Sequence, residues 1–283
     1  MQDRYAGDVG DFGKFGLLRH LCGETAQDKH PRLKAGVIWY RANPGRGEKE
    51  KPDGKFVNYL QTEVKSPRLY MECDEVVFKA LADVVAKERT IAALERKQLL
   101  KGAVYWRDDV RHGKKKVTCP RTDWFQSAFE ATAECDLVFL DPDNGIECAN
   151  LRFTQGKSRK YVFRCEVGKL IKPGQSVVVY HHTGRLGGTA KQQVQWHLQK
   201  LVDEPSLAQD PFGVLFHRGG TRAFLILPAQ EHYQALLERT NTFVQKWGLD
   251  DWKTGKPRGH FTGPYPDLTG RVSGGGSGTI GGE

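Results

Sequence analysis

The chain has 283 residues, enough for one large domain or two small ones, and its 39% hydrophobic and 27% charged residues are typical of a globular protein. It contains no run of about 18 apolar residues and no apolar segment after the first residues, so we expect neither a membrane span nor a secretory signal. The formal net charge of +9 favours a polyanionic partner, with nucleic acid (RNA or DNA) as the first candidate.

The cysteines are scattered singly, without a CxxC pair or a metal-finger spacing. This distribution favours reduced thiols in a cytoplasmic protein, where most would serve as small buried hydrophobic groups. The six positions are Cys22, Cys73, Cys119, Cys135, Cys148 and Cys165.

Short apolar runs alternate with longer amphipathic stretches, as in α/β domains. Helices are predicted at 12–21, 74–100 (as one helix or two), 124–132, 189–202 and 231–247, and strands at 35–40, 68–71, 103–106, 137–140, 176–180, 214–217 and 223–227. We expect a single α/β domain over 1–265, built on a Rossmann-like, open, mostly parallel sheet with helices on both faces. The Gly/Ser-rich composition of 266–283 predicts a flexible tail.

The first candidate segment is 4–19, where glycine recurs at positions 7, 10, 13 and 16. Such spacing lets backbone N–H groups approach a ligand, and a helix N-terminus favours an anionic group. Lys14 is placed to pair with a carboxylate or a phosphate, although the P-loop pattern is absent. A glycine-rich turn with a purely structural role, capped by Asp8 or Asp11, is the open alternative.

The second candidate follows the wholly apolar run 137–140. Pro142 and the Asn-Gly pair at 144–145 predict an abrupt turn after that strand. Ligands of open α/β sheets bind just outside the carboxyl ends of strands. This turn therefore predicts an active cleft lined by Asp141, Asp143, Asn144 and Glu147. A polar loop with capping carboxylates is the alternative.

The third candidate is the strand that delivers His181 and His182, followed by Arg185. We interpret these three residues as substrate-binding. Because neighbouring strand residues point to opposite faces, at most one of the two histidines faces the cleft. A structural role for either histidine is the alternative.

In chain order, these segments resemble S-adenosylmethionine-dependent nucleic-acid methyltransferases, and their layout is similar to that of the 23S ribosomal RNA adenine-N6 methyltransferases of the RlmJ type. The short matching segments are 6–21, 37–47, 69–74, 104–109 and 141–144. The chain also resembles a group of bacterial proteins that share the Gly-Asp-x-Gly-Asp-Phe-Gly-Lys and Leu-Asp-Pro-Asp-Asn-Gly stretches and have no established activity.

The methyltransferase resemblance implies S-adenosylmethionine as cofactor. The residues that it places around the cofactor are Gly7, Asp8 and Lys14 at the methionine end, Asn43, Gly45 and Gly47 along a glycine loop, Glu72 or Asp74 at the ribose, and Asp108 or Asp109 near the adenine. The stretch Asp141-Pro142-Asp143-Asn144 stands where the family has its catalytic Asp-Pro-Pro-Tyr motif, and it implies that Asp141 accepts a hydrogen bond from the amino group to be methylated.

Two departures from that pattern keep other functions open. Asn144 replaces the aromatic residue that stacks on the extruded base, and Pro44 lies within the glycine loop. The surplus of acids also permits a Mg²⁺-dependent nuclease or phosphodiesterase whose metal ligands are Asp141, Asp143, Glu147 and Glu166. A non-catalytic nucleic-acid-binding relative is the third hypothesis. The enzyme hypotheses require Lys14 and Asp141 to share one side of the molecule.

Overall fold

The computed structural model describes residues 2–42, 56–61, 67–111, 120–184, 187–202, 207–248 and 259–266. Within them the chain forms an open seven-stranded sheet and a separate pair of short parallel strands. The seven strands are β1 (Ala35–Trp39), β2 (Val104–Trp106), β3 (Leu137–Asp141), β6 (Ser176–His182), β7 (Phe212–Phe216), β8 (Arg222–Leu227) and β9 (Phe261–Tyr265), and the short pair is β4 (Gly145–Ile146) with β5 (Tyr161–Val162).

The large sheet is mixed, with the order β2-β1-β3-β6-β8-β7-β9. The first four strands of this order run parallel to one another. The pairings of β6 with β8, β8 with β7 and β7 with β9 are antiparallel. The expected α/β sheet is therefore confirmed as an open mixed sheet, but it is only partly parallel rather than mostly parallel.

Helices cover both faces of the sheet, as expected. They are α1 (Val9–Leu21), α2 (Pro67–Cys73), α3 (Glu75–Lys87), α4 (Ile91–Arg96), α5 (Pro120–Ala131), α6 (Arg164–Leu170), α7 (Ala190–Val202) and α8 (Tyr233–Trp247). We call α1, α3, α4 and α8 the front layer, since their apolar residues share one buried cluster with one face of the sheet. Helices α5, α6 and α7 pack on the opposite face and form the back layer. Every helix in the described ranges is too short or too polar to cross a bilayer.

Strand β3 lies inside the sheet, as its uninterrupted apolar sequence predicts. It pairs with β1 on one side and with β6 on the other, and all five of its residues are buried. Its side chains alternate between the layers: Phe139 packs in the front cluster and Leu140 in the back cluster. The same alternation turns the next side chain, Asp141, toward the front layer.

In the first half of the chain the element prediction is wrong at 68–71, and of the two possibilities left open for 74–100 the structure shows two helices. Residues 68–71, expected as a strand, belong to helix α2, which begins at Pro67, a residue well suited to the first turn of a helix. A short apolar run without a clear period does not distinguish the two structures. The region 74–100 divides into α3 and α4, because Thr90 caps α4 by accepting a hydrogen bond from the Ala93 N–H at 3.1 Å.

Sequence analysis also missed four elements, β4, β5, β9 and α6. The first two have only two residues each, too few for a periodic pattern. Strand β9 contains Gly263 and Pro264, which are unfavourable in most strands. Residues 267–283, nearly all of the expected tail, lie outside the described residues.

Helix α1 packs unusually closely on its neighbours because glycine leaves room for large rings. A methyl group at Gly13 would lie 2.9 Å from the Phe216 ring, and one at Gly16 would overlap the Trp247 ring. Both rings are buried in the front cluster. These two glycines thus permit contact between elements, rather than the backbone approach to a ligand that their spacing suggested.

Replacing Gly16 with alanine tests this packing. Alanine in an exposed helix normally stabilises the protein by about 1 kcal/mol relative to glycine. Here we expect the free energy of unfolding to fall by about 1–3 kcal/mol, since the methyl group must displace the Trp247 ring. Urea denaturation measures the change. Gly187→Ala is the control, since no atom of the described residues lies within 4 Å of the added methyl group. A stabilised Gly16→Ala protein would contradict the packing argument.

Candidate functional site

The candidate site lies at the carboxyl ends of the parallel strands. The order of the sheet places β2 beside β1 and β6 beside β3, so the connections that leave β1 and β3 diverge to opposite sides. Such a divergence opens a crevice at the carboxyl ends of the two central strands, which is where open α/β sheets bind ligands. Trp39 and Asp141 are register partners at this point of the sheet.

A buried ion pair occupies the front side of this crevice. The Nζ atom of Lys14, from α1, lies 2.9 Å from one carboxylate oxygen of Asp141 and 3.0 Å from the other. The same Nζ atom donates to Asp11 at 3.2 Å. The side chains of Lys14 and Asp141 are 7% and 1% exposed, and that of Asp11 is fully buried. The expected proximity of Lys14 and Asp141 is therefore confirmed.

The electrostatics of this cluster balance burial against opposite charge. Burial disfavours a charged ammonium group, but Asp141 and Asp11 outweigh it and raise the pKa of Lys14 well above its ordinary value. Asp11 shows the opposite balance. Its burial, together with repulsion from Asp8 and Asp141, raises its pKa to about 7 despite the attraction of Lys14. Three carboxylates thus share one buried ammonium group.

Asp8 anchors the start of helix α1. Its carboxylate accepts the Asp11 N–H at 3.1 Å and caps the helix, which is the structural alternative considered for this residue. Burial raises the pKa of Asp8. Gly7, expected at the cofactor, donates its N–H to Asp11 at 2.9 Å, and a methyl group at Gly7 would lie 2.5 Å from Val85. Its backbone N–H is thus used within the protein.

Strand β6 adds two aromatic side chains on the front side. The Lys14 Nζ atom lies 4.6 Å from the centre of the Tyr180 ring, a cation–π contact. The His182 ring packs edge-on against Tyr180, with 5.6 Å between ring centres. Burial, together with the positive charges of Arg222 and Lys14, lowers the pKa of His182 to about 3. At neutral pH His182 is therefore an uncharged imidazole beside the ion pair.

His181 points to the back layer, as the alternation of the strand requires. Its Nδ1 atom accepts the Ile146 N–H at 3.1 Å, and the centre of its ring lies 4.1 Å from the centre of the His197 ring in α7. Burial lowers the pKa of His181 to about 4. Of the two histidines assigned to substrate binding, only His182 lies on the side of Lys14. Arg185 lies outside the described residues.

The turn after β3 is bound to the rest of the site through its backbone. The Asn144 N–H donates to the Lys160 carbonyl at 2.8 Å, and the Asn144 carbonyl accepts the His182 N–H at 3.4 Å. The Asp143 carboxylate accepts the side-chain amide of Gln2 at 3.1 Å. Asp143 and Asn144 therefore lie near the catalytic position proposed for Asp141, at the rim of the crevice.

The carboxylates of the alternative metal site are engaged elsewhere. Glu147 accepts the Arg164 N–H at 3.0 Å and binds its Nε at 3.2 Å. Glu166 is buried against Arg121, with an oxygen 2.8 Å from a guanidinium nitrogen, and accepts the Phe163 N–H. In the parts of the chain that the structure describes, no group of three or more His, Cys, Asp or Glu side chains is placed to hold a metal ion. The four proposed ligands thus do not form one cluster.

The remaining cofactor residues are only partly brought together. Asp74 caps α3 and binds Arg19 at 2.9 Å, and Glu72 lies exposed on α2 rather than at a strand end. Asp108 and Asp109 do follow a parallel strand, β2, at the expected edge of the sheet. Asn43, Gly45 and Gly47 lie outside the described residues.

Sequence analysis missed three members of the site: Asp11 as a partner of Lys14, Tyr180 and Arg222. The i,i+3 spacing of Asp11 and Lys14 on a helix was a usable signal for their contact. Alternation along β6 places Tyr180 on the face of His182, but no sequence signal related that face to helix α1.

The pair can be tested through stability. Lys14→Met leaves Asp141 and Asp11 buried without their cation, so we expect the free energy of unfolding to fall by about 3–5 kcal/mol. Chemical denaturation measures the loss. Lys79→Met, which removes only an exposed helix pair with Glu75, is the control and should have little effect. A loss similar to that of the control would contradict the buried pair.

The raised pKa of Asp11 predicts a pH dependence. Between about pH 4 and 7 the folded state retains a proton that unfolded Asp11 has lost, so this group lowers the free energy of unfolding as pH rises. Asp11→Asn removes that contribution. The stability of the variant minus that of the wild type should increase with pH across this window, as measured by denaturation at several pH values. A constant difference would contradict the assignment.

No protein-family model matches the chain, and neither the curated proteins nor the solved structures give a match.

Proposed function

We propose that the protein is an S-adenosylmethionine-dependent methyltransferase acting on nucleic acid, with a Rossmann-like cofactor crevice at the carboxyl ends of β1 and β3. The observation that carries this proposal is the buried contact of Lys14 with Asp141 at the point where the strand connections diverge. The methyltransferase resemblance places Lys14 at the methionine end of the cofactor and Asp141 at the amino group to be methylated, and the two residues are in contact although they are 127 positions apart in the sequence.

The charges of the site suit the methionine end of the cofactor, which carries an ammonium and a carboxylate group. Asp8 and Asp141 supply acceptors for an ammonium group, and Lys14 supplies a cation for a carboxylate. The two oxygens of a carboxylate can accept about four hydrogen bonds in total. Lys14 uses only some of these acceptor positions on Asp141. This donor set is therefore compatible with a zwitterionic ligand.

The adenosine end has fewer assigned partners. Asp109 is 3.6 Å from the Arg41 guanidinium, and both residues follow neighbouring parallel strands, β2 and β1. A cofactor whose methionine end lies at β3 would extend along the sheet edge toward these residues. We therefore propose Asp108 and Asp109 for the adenosine end. Asp74 is held by Arg19 and does not bind the ribose in this proposal.

In this mechanism Asp141 positions the acceptor nitrogen. Its carboxylate accepts a hydrogen bond from the amino group of the substrate, which keeps the nitrogen lone pair directed toward the incoming methyl group. Lys14 holds that carboxylate in one orientation and balances its charge. S-adenosylmethionine, when bound, supplies an electrophilic methyl group, so the protein contributes mainly positioning and exclusion of water. The net charge of +9 favours a nucleic-acid acceptor.

Isothermal titration calorimetry with S-adenosylmethionine tests the proposal. We expect saturable binding by the wild-type protein, and transfer of a labelled methyl group to RNA or DNA. Asp141→Asn keeps the shape of the side chain but weakens its hydrogen bond to the acceptor amine, so transfer should fall at least about a hundredfold. Thermal melting of the variant checks that this loss does not come from unfolding. Glu147→Gln, which alters a carboxylate held by Arg164, is the matched control.

The outcomes separate the competing functions. Absence of binding at millimolar cofactor would contradict the methyltransferase proposal. Cofactor binding without methyl transfer to any nucleic acid would indicate a non-catalytic relative. Mg²⁺-dependent cleavage of nucleic acid that is lost in Asp141→Asn would instead favour the nuclease hypothesis.

A further inference from the structure

Arg222 occupies the front rim of the crevice, at the first position of β8. It is the register partner of His182 on β6 and of Phe216 on β7. Because Phe224 and Ile226, two and four residues further along β8, pack in the front cluster, the Arg222 side chain lies on that same side. Its positive charge acts on both Tyr180 and His182.

Arg222 differs from the buried arginines of this protein in its partners. Arg19, Arg121 and Arg239 each bind a carboxylate, at Asp74, Glu166 and Asp28. Among the described residues no carboxylate lies within ion-pair distance of Arg222, whose guanidinium donates only to the Thr221 carbonyl, at 3.0 Å. A half-buried guanidinium with most of its donors unused can bind an oxyanion strongly.

The turn between β7 and β8 holds the guanidinium in place. A methyl group at Gly220 would lie 2.8 Å from a nitrogen of Arg222, and Gly220 has a φ of +106°, a conformation that favours glycine. The guanidinium thus rests against bare backbone. His182, uncharged at neutral pH, provides a neighbouring imidazole that can donate a hydrogen bond to the same anion.

An exposed aromatic ring lies on the other side of this turn. The Phe56 ring is within 3.6 Å of the position of a methyl group at Gly219, and Phe56 is 49% exposed. Its backbone carbonyl accepts the Val9 N–H at 3.0 Å, which fixes the ring beside the N-terminus of α1. Phe56 and Arg222 therefore flank two consecutive glycines, at the mouth of the crevice that contains Lys14 and Asp141.

We propose that this rim is a nucleotide subsite, in which Arg222 and His182 bind a phosphate and the Phe56 ring stacks on the adjoining base of a single-stranded nucleic acid. Stacking on an aromatic ring beside a cation is a common way of holding single strands without sequence preference. Phe56 also supplies the aromatic surface that Asn144 cannot. This inference rests on the proposed function in one respect, namely that the bound phosphate belongs to a nucleic acid.

Two variants of the full-length protein separate the two contacts. Arg222→Gln should weaken the binding of both inorganic phosphate and a short fluorescent single-stranded RNA about tenfold. It should also lower the number of ions released on RNA binding by about one, as read from the dependence of the affinity on salt concentration. Phe56→Ala should weaken RNA binding about tenfold and leave phosphate binding unchanged. Arg222→Lys keeps the positive charge but loses the planar pair of guanidinium donors, so its affinity for both probes should lie between those of the wild type and Arg222→Gln. Fluorescence anisotropy and calorimetry give the dissociation constants, and thermal melting checks that each variant is folded.

Matched substitutions elsewhere serve as controls. Arg32→Gln removes the same charge near the amino ends of the parallel strands, and Trp196→Ala removes another exposed ring, 46% exposed, from the back layer. Both should bind RNA like the wild type. If the wild type binds neither probe, or if Arg222→Gln binds both as the wild type does, the subsite is overturned. Arg222-dependent binding of inorganic phosphate but not of RNA would identify a small-molecule phosphate site and overturn the single-strand assignment.

The titration with S-adenosylmethionine is independent of these measurements. Arg222-dependent RNA binding without cofactor binding would contradict the proposed methyltransferase and support the subsite. Cofactor binding in a protein whose RNA affinity does not depend on Arg222 or Phe56 would contradict the subsite alone.

Discussion

The site depends on one interaction, the contact of the Lys14 ammonium with the buried carboxylates of Asp141 and Asp11. A single buried charge would be strongly unfavourable, so each member of this cluster requires the others. The contact also connects helix α1 with the carboxyl end of β3, the strand at the middle of the parallel half of the sheet. The position of the crevice and the orientation of the proposed catalytic carboxylate both follow from it.

Close packing of helix α1 makes that contact possible. Glycines on the helix allow the rings of Phe216 and Trp247 to approach its backbone, and Asp8 caps its first turn. The helix is thereby held against β7 and α8, and its Lys14 side chain contacts Asp141. A glycine spacing that resembled a ligand-binding loop proves to be mainly a packing device, while its lysine remains in the candidate site.

The acids of the 141–147 turn divide between the two sides of the molecule. Asp141 follows the alternation of β3 to the front side, whereas Glu147 is bound by Arg164 at the start of α6, in the back layer. The crevice therefore contains one strand-end carboxylate paired with a lysine rather than a ring of carboxylates. That arrangement favours the positioning of a polar ligand over the binding of a divalent cation. The proposed nucleotide subsite at Arg222 and Phe56 lies next to this crevice, so the two together can accommodate a substrate larger than a single nucleotide.

The sequence by itself determined the α/β class, the buried strand 137–140 and the position of Asp141 at its carboxyl end, because an apolar run that stops at a Pro-Asp-Asn-Gly turn is a local signal. It also determined that His181 and His182 face opposite sides, since strand alternation is local too. Only the tertiary structure decided that 68–71 is helical, that Glu166 pairs with Arg121, and that Arg222 is the register partner of His182. These outcomes depend on which distant segments pack together. Burial and charge pairing between distant segments produce no periodic pattern in the sequence, so local sequence analysis does not detect them.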